Sequence, residues 1–367
     1  MNKKVAILTL PLHSNYGGIL QAYALRTVLE ARGHEAFHVE KKRNRPAVHL
    51  SPIKFYSWWF TRRLIRQILT LNRDKNRREE NLNRYRVWTN TPSFRAFVKK
   101  HVPLKVVYKF ENLRKLDFDT IVVGSDQIWR PYYYRDIDLA FLSFASEWSI
   151  KRIAYAPSFG VEDWEYSKEQ TLICRSLLQK FDAVSVREKE GVGLCADNFN
   201  VHAVQLLDPT MLLDRDHYEQ LIGEKVKSER KQLTTYILDM EPRKREILEY
   251  IQAAGEMEVV ESGRGKGGSI EQWLCSFMEA EFIFTDSFHG CVFSILFHKP
   301  FLVYGNRKRG LSRFNTLLKL FQLEDRMIFN ADEAGNMYKR KIDWNIIDVI
   351  LKHERKRAFT FLEDSGL

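Results

Sequence analysis

Chemistry in this chain is most concentrated in Thr285-Asp286-Ser287-Phe288-His289-Gly290, where hydroxyls, a carboxylate and an imidazole gather directly after the apolar run 282–284. A helix starting there puts His289 at its N-terminus, where partial positive charge disfavours the imidazolium unless an anion binds. Such a residue meets phosphate or delivers a proton to substrate; the alternative is a structural histidine. Arg187, in Ser185-Val186-Arg187-Glu188, also follows an apolar run and offers a guanidinium fork to a carboxylate or phosphate. Its duller alternative is a surface ion pair with Glu188 or Glu190. Gly124-Ser125-Asp126 and Asn15-Tyr16-Gly17-Gly18 have the same placement after apolar runs. Backbone N–H groups at a glycine turn or helix N-terminus can hold an anion, although an N-cap and a tight turn account for the two stretches as well. Neither has the GxGxxG spacing of a dinucleotide loop.

Strands and helices must alternate to place these residues together. Strands are expected at about 5–10, 35–39, 119–123, 152–156, 182–186 and 201–206, with helices at about 19–32 and 163–180. After Leu207-Asp208-Pro209-Thr210, where the X-Pro restriction interrupts the alternation, strands are expected at about 234–238, 258–260, 282–285 and 301–304, with helices beginning near 242, 270, 288 and 311. The reading is an α/β chain with an N-terminal Rossmann-like domain over 1–207, a C-terminal Rossmann-like domain over 208–340, and a last amphipathic helix over 341–367 that packs back across them. Open sheets of this kind bind ligands outside the carboxyl ends of their strands, where all four stretches fall.

Five stretches occur in the order seen in one family: NYGGILQAYAL at 15–25, GSDQIWR at 124–130, SVRE at 185–188, LLDPTMLL at 206–213 and TDSFHGCVFSILFHKPF at 285–301. Together they resemble the polysaccharide pyruvyl transferases. The resemblance implies a GT-B-like architecture, two Rossmann-like domains with parallel sheets facing a cleft. It also implies transfer of pyruvate from phosphoenolpyruvate, a co-substrate rather than a cofactor, onto two hydroxyls of a sugar, of galactose type, in a cell-surface polysaccharide or its lipid-linked precursor. Arg187 matches the arginine expected to bind the donor's anionic end, and His289 the histidine beside the donor phosphate. Many members carry arginine two residues before that histidine; here it is Ser287. Phosphate binding then leans on Ser287, Gly290 and the helix N–H groups, or on a substitute cation, Arg309 or Arg313. His289 is expected to serve as acid or phosphate-side donor and Asp126 as base, with residues 15–18 and Ser125 forming the acceptor side of the cleft.

The chain of 367 residues carries a net charge of +11, which asks for an anionic partner. That charge is unevenly spread. Residues 41–109 hold nineteen Lys and Arg against three Asp and Glu, a local +16 that leaves the rest at −5. This segment is expected to be an insertion whose Ile53, Tyr56, Phe60, Leu64, Ile68 and Leu71 share one helix face, flanked by Trp58 and Trp59 and by Arg62, Arg63, Arg66 and Arg73. Such a helix suits an anionic membrane surface, or packs on the protein's own core with its basic face in water. No nucleic-acid motif accompanies the charge.

Cys174, Cys195, Cys275 and Cys291 lie far apart with no CxxC pair, so neither zinc nor a disulfide framework is expected. The start, MNKKVAILTL, reads as a strand rather than a leader, and no apolar run reaches the length of a spanning helix. A cytoplasmic enzyme, peripheral at the inner face of the membrane, is the expectation. A nucleotide-sugar glycosyltransferase of the same architecture and a non-enzymatic membrane-surface protein are the rivals.

Overall fold

The computed structural model describes residues 2–13, 15–42, 92–223, 230–263, 268–306 and 310–367. Two parallel sheets organise it. The first contains β1 (Lys4–Leu8), β2 (Glu35–Lys41), β3 (Leu104–Val107), β4 (Thr120–Val123), β5 (Lys151–Ala154), β6 (Ala183–Val186) and β7 (Val204–Gln205), in the order β3-β2-β1-β4-β5-β6-β7. The second contains β8 (Gln232–Tyr236), β9 (Glu258–Glu261), β10 (Phe282–Thr285), β11 (Phe301–Tyr304) and β12 (Met327–Ile328), in the order β12-β11-β10-β8-β9. Both orders are doubly wound. Each reverses beside its first strand, between β1 and β4 in one sheet and between β8 and β10 in the other.

The helices follow from local sequence. In chain order they are α1 (Tyr16–Ala31), α2 (Pro92–His101), α3 (Lys168–Leu178), α4 (Lys189–Leu194), α5 (Arg215–Ile222), α6 (Pro242–Gly255), α7 (Ile270–Met278), α8 (Phe288–Leu296), α9 (Ser312–Leu320), α10 (Ala331–Met337) and α11 (Trp344–Asp364). Ser167 with Gln170, and Ser269 with Gln272, form reciprocal capping boxes at α3 and α7. Pro242 sits in the first turn of α6, where its missing N–H costs nothing. The central strands read TIVV and FIFT and are buried throughout, as a sheet covered on both faces requires.

One expectation needs correction. The stretch 41–109 is not wholly an insertion, because β3 pairs with β2 at the edge of the first sheet and Phe94, Phe97 and Val98 of α2 enter the core. A four-residue edge strand reading LKVV, amid lysines, carries too little apolar alternation to declare itself. The amphipathic helix and tryptophans expected at 53–73 lie outside the described residues.

The sheets share a core. Tyr16 of α1 stacks on Trp273 of α7 with ring centroids 5.4 Å apart, meets Tyr236 of β8 edge-on at 6.0 Å, and donates its hydroxyl to the Gly268 carbonyl at 3.0 Å. The chain then returns to the first sheet through α11. Arg355 donates to the Met211 and Leu213 carbonyls at 2.7 and 2.5 Å, and the Arg32 Nε donates to the Leu367 carbonyl at 2.9 Å. No helix among the described residues is long and apolar enough to cross a membrane.

A buried His38 makes this core acid-sensitive. Its Nε2 lies 2.9 Å from the Ala22 carbonyl; burial, and secondarily the charge of Arg26, lowers its pKa from 6.5 to about 4 despite that bond. The unfolded chain therefore binds the proton first as pH falls. Stability is full above pH 6.5 and declines between there and about 4, by about 3 kcal/mol in all. Urea titrations across that window should show the decline, and His38→Gln should flatten it; a slope unchanged by the substitution refutes the assignment.

Candidate active site

Arg187 follows β6, Asp208 follows β7, Asp126 follows β4, and His289 opens α8 after β10. Strand ends from both sheets thus converge. Arg187 Nη1 donates to Asp208 Oδ2 at 2.7 Å, and Nη2 to Asp126 Oδ1 at 3.4 Å. His289 Nε2 stands 3.7 Å from the same Asp208 oxygen, within ion-pair but beyond hydrogen-bond distance. All four residues are at most 5% exposed.

Asp208 is the hub, and it was expected only as part of a crossing between domains. Thr210 donates to its Oδ1 from both backbone N and hydroxyl, at 3.0 and 2.7 Å, closing an Asx turn that Pro209 pre-shapes. Ser125 Oγ lies 3.0 Å from its Oδ2 and 2.8 Å from the Ala156 carbonyl. Burial acts to raise the Asp208 carboxyl, but His289, Arg187 and Thr210 outweigh it and hold the group far below the usual carboxylate range. A signal was present in the sequence: a lone carboxylate between the apolar runs of LLDPTMLL must find a partner if it is buried.

Asp126 reaches Arg187 through a costly backbone. Its φ of 68° and ψ of −176° fall where residues other than glycine are rarely found, at a cost of about 1–3 kcal/mol. The surroundings hold it there: its carbonyl accepts from the N–H groups of Ile128 and Ser158, both at 2.8 Å. Glu188 forms no surface ion pair with Arg187. Its Oε1 accepts from Ser158 Oγ, Phe159 N and Gly160 N at 3.0, 2.7 and 3.0 Å, bracing the loop beside the site. Glu190 accepts instead from Thr316 of α9 at 3.1 Å.

The remaining expected residues fall into two groups. Gly17, Ser287, Gly290 and Arg313 border the cluster. Arg313 of α9 is buried and within electrostatic reach of Arg187, Asp126 and Glu188; burial and the neighbouring Arg187 push its pKa down to about 10, so it stays cationic at neutral pH. Its guanidinium carbon lies 5.8 Å from the Phe288 ring centroid, and that of Arg187 lies 4.4 Å from the same centroid, so one aromatic ring serves both cations. Ser287 caps α8, and a Cβ at Gly290 would strike Thr285 Oγ1 at 2.2 Å. Tyr16 and Ser125, by contrast, are committed to packing and to Asp208. Asn15 is exposed at the start of α1, while Gly18 is buried against the Asn15 side chain. Arg309 lies outside the described residues.

Gly17 brings the first sheet's α1 against the second sheet's histidine. A Cβ there would sit 2.0 Å from His289 Nδ1 and 2.2 Å from its Cγ. Gly17→Ala should therefore displace the imidazole by about an ångström and cost on the order of 100-fold in turnover, against the small gain alanine normally brings to a helix. Steady-state kinetics reads this directly; wild-type turnover in the variant would show that the ring position is unimportant.

Two nitrogens in this buried cluster, Arg187 Nε and His289 Nε2, have no hydrogen-bond partner among the described residues. With Arg313 beside them, they suit an anionic ligand with more than one charged end. Among the described residues no group of His, Cys, Asp and Glu is arranged to hold a metal ion.

Residues 15–308 match the family model for polysaccharide pyruvyl transferase. The chain belongs to the polysaccharide pyruvyl transferase family. Membership makes it a transferase of polysaccharide biosynthesis. No curated protein matches it. In fold it resembles Arabidopsis thaliana UGT89C1 complexed with UDP-L-rhamnose, at 9% identity and a TM-score of 0.51 over 98% of this chain and 94% of that one. It likewise resembles the S. aureus MnaA–UDP co-structure, at 12% identity and a TM-score of 0.50 over 97% and 91% of the two chains. At these identities the likeness concerns architecture, and the chain has a GT-B-like fold.

Proposed function

We propose that the protein moves pyruvate from phosphoenolpyruvate onto two hydroxyls of one sugar, of galactose type, in a cell-surface polysaccharide or its lipid-linked precursor, releasing phosphate. The observation that carries this is the unpartnered Arg187 Nε and His289 Nε2, with Arg313 beside them, at the junction of the sheets, in a chain of this family. Phosphoenolpyruvate has a carboxylate and a phosphate to engage them. Its C3 takes a proton and C2 takes the first sugar oxygen; the C2–O bond to phosphate then breaks, and the second oxygen closes the ketal. In this reading Arg187 and Arg313 hold the donor's anionic ends, His289 supplies the proton at C3 or at the phosphate side, Asp126 accepts the proton of the first hydroxyl, and that of the second leaves with the released phosphate. Asp208 keeps Arg187 and His289 in register.

Phosphoenolpyruvate at a hundredfold its dissociation constant should stabilise the protein by about 2.7 kcal/mol, seen as a rise in Tm. A panel of nucleotide sugars should not. Incubation with phosphoenolpyruvate and lipid-linked galactosides should then yield a pyruvylated product by mass spectrometry; no donor binding together with no product rejects the function. The basic stretch 41–109 accords with work at an anionic membrane surface on the cytoplasmic side, which liposome co-sedimentation tests.

A further inference from the structure

Four consecutive residues at the end of β6 tie the two arginines of the site together. Arg187 bonds Asp208 and Asp126, and Glu188 holds the N–H groups of Phe159 and Gly160 in the loop beside them. Lys189 and Glu190 then reach across to the second half of the chain. No side chain of its own caps α4, and its first N–H, that of Lys189, goes instead to Thr316 Oγ1 of α9 at 3.1 Å. The same hydroxyl donates to Glu190 Oε2 at 3.1 Å, so Thr316 is bonded both as acceptor and as donor.

Arg313 stands three residues before Thr316, on the same face of α9. The chain is gripped on its other side too. Gly310, at φ 82°, passes so close that a Cβ there would lie 2.0 Å from the Gly160 carbonyl oxygen, and the Gly160 N–H is held by Glu188. Arg313 is therefore pinned between two contacts with the first half of the chain. Pinning is needed because the Arg313 and Arg187 guanidinium groups share the Phe288 ring, their carbons 5.8 and 4.4 Å from its centroid, and like charges that close repel. Burial and then the charge of Arg187 both act against the Arg313 cation. The span matched by the family model ends at 308, before α9 begins, so neither Arg313 nor Thr316 belongs to it.

We propose that Thr316 is a positioning residue that sets the distance of Arg313 from Arg187, and so selects a substrate with two anionic ends over an anion with one. The identity of that substrate rests on the pyruvyl-transfer reading above. In phosphoenolpyruvate the carboxylate and the phosphate oxygen share C2, so the span between the charged ends is short and nearly fixed. Both ends are bound at once only where the two guanidinium groups stand at that span; a displaced α9 leaves one end unheld. Inorganic phosphate engages a single arginine and is indifferent to the spacing.

The test compares Thr316→Val, which keeps the shape of the side chain and removes both bonds, with Thr316→Ser, which keeps the hydroxyl. Lys189 is exposed and Glu190 half-buried, so water satisfies the groups that valine frees and the fold stays intact. Tm titrations of the full chain with phosphoenolpyruvate and, separately, with inorganic phosphate give the two affinities. Thr316→Val should weaken phosphoenolpyruvate about tenfold and leave inorganic phosphate unchanged, and Thr316→Ser should restore the wild-type ratio. A role confined to stability would move both anions alike or neither. Unchanged phosphoenolpyruvate affinity in Thr316→Val, equal losses for the two anions, or a Thr316→Ser variant as weak as Thr316→Val overturns the proposal and leaves pyruvyl transfer standing. A wild-type chain that binds no phosphoenolpyruvate rejects the pyruvyl-transfer reading and the proposal with it.

Discussion

Arg187→Met should lose donor binding and about 3–5 kcal/mol of stability together, because the substitution strands Asp208 and Asp126 as buried charges with no guanidinium between them. Urea unfolding reads the loss of stability, and the Tm shift with phosphoenolpyruvate reads the loss of donor binding. The double variant Arg187→Met with Asp208→Leu should recover part of the stability, because it removes the stranded Asp208 but leaves Asp126, yet recover none of the donor binding. That separation decides the case. A single variant with unchanged stability and an undiminished Tm shift would show that Arg187 is neither paired nor ligand-binding.

The pH dependence of this pair follows from its sign. Asp208 is depressed in the folded state, so its contribution is complete above the ordinary carboxylate pKa, about 3.9, and is lost only as pH falls through the lower folded value. Across neutral pH it contributes a constant. Any change in stability between pH 6.5 and about 4 belongs to His38 or other groups, not to the active-site pair.

His289→Ala should lower turnover by about 100- to 1,000-fold while changing donor affinity by only a few fold, if the imidazole supplies a proton as the transition state forms. Single-turnover rates at saturating donor isolate that step. The geometry favours a role in the reaction over one in holding the fold: Nε2 has no hydrogen-bond partner among the described residues, stands 3.7 Å from Asp208, and rests on a glycine contributed by the other sheet. Should the loss in affinity match or exceed the loss in turnover, His289 is a binding residue and the acid lies elsewhere.

Much of this site was legible before any fold was known. Buried strands without alternation, glycine turns after them and capping signals placed α1, β4, β6, β10 and α8 to within a few residues, because parallel strands covered on both faces must be apolar throughout. Arg187, Asp126 and His289 stood at their carboxyl ends for that reason. The edge strand β3 escaped notice because a short, lysine-flanked run can form only where β2 offers a ladder. Neither were Thr210 and Phe288 recognisable, since a hydroxyl that completes an Asx turn and a ring that backs two arginines acquire those parts only in space.

By itself the sequence determined the family, the two doubly wound halves, and the chemical types gathered at their strand ends, since these follow from local periodicity and from motifs in order. Only the tertiary structure decided which of those groups meet. Asp208 sits 21 residues after Arg187 and 81 before His289, yet one carboxylate oxygen approaches both. That contact depends on α1 closing against α8 through Gly17 and on Arg355 of α11 holding the loop after Asp208. Pairing of buried charges is set by long-range packing, and local sequence carries no record of it.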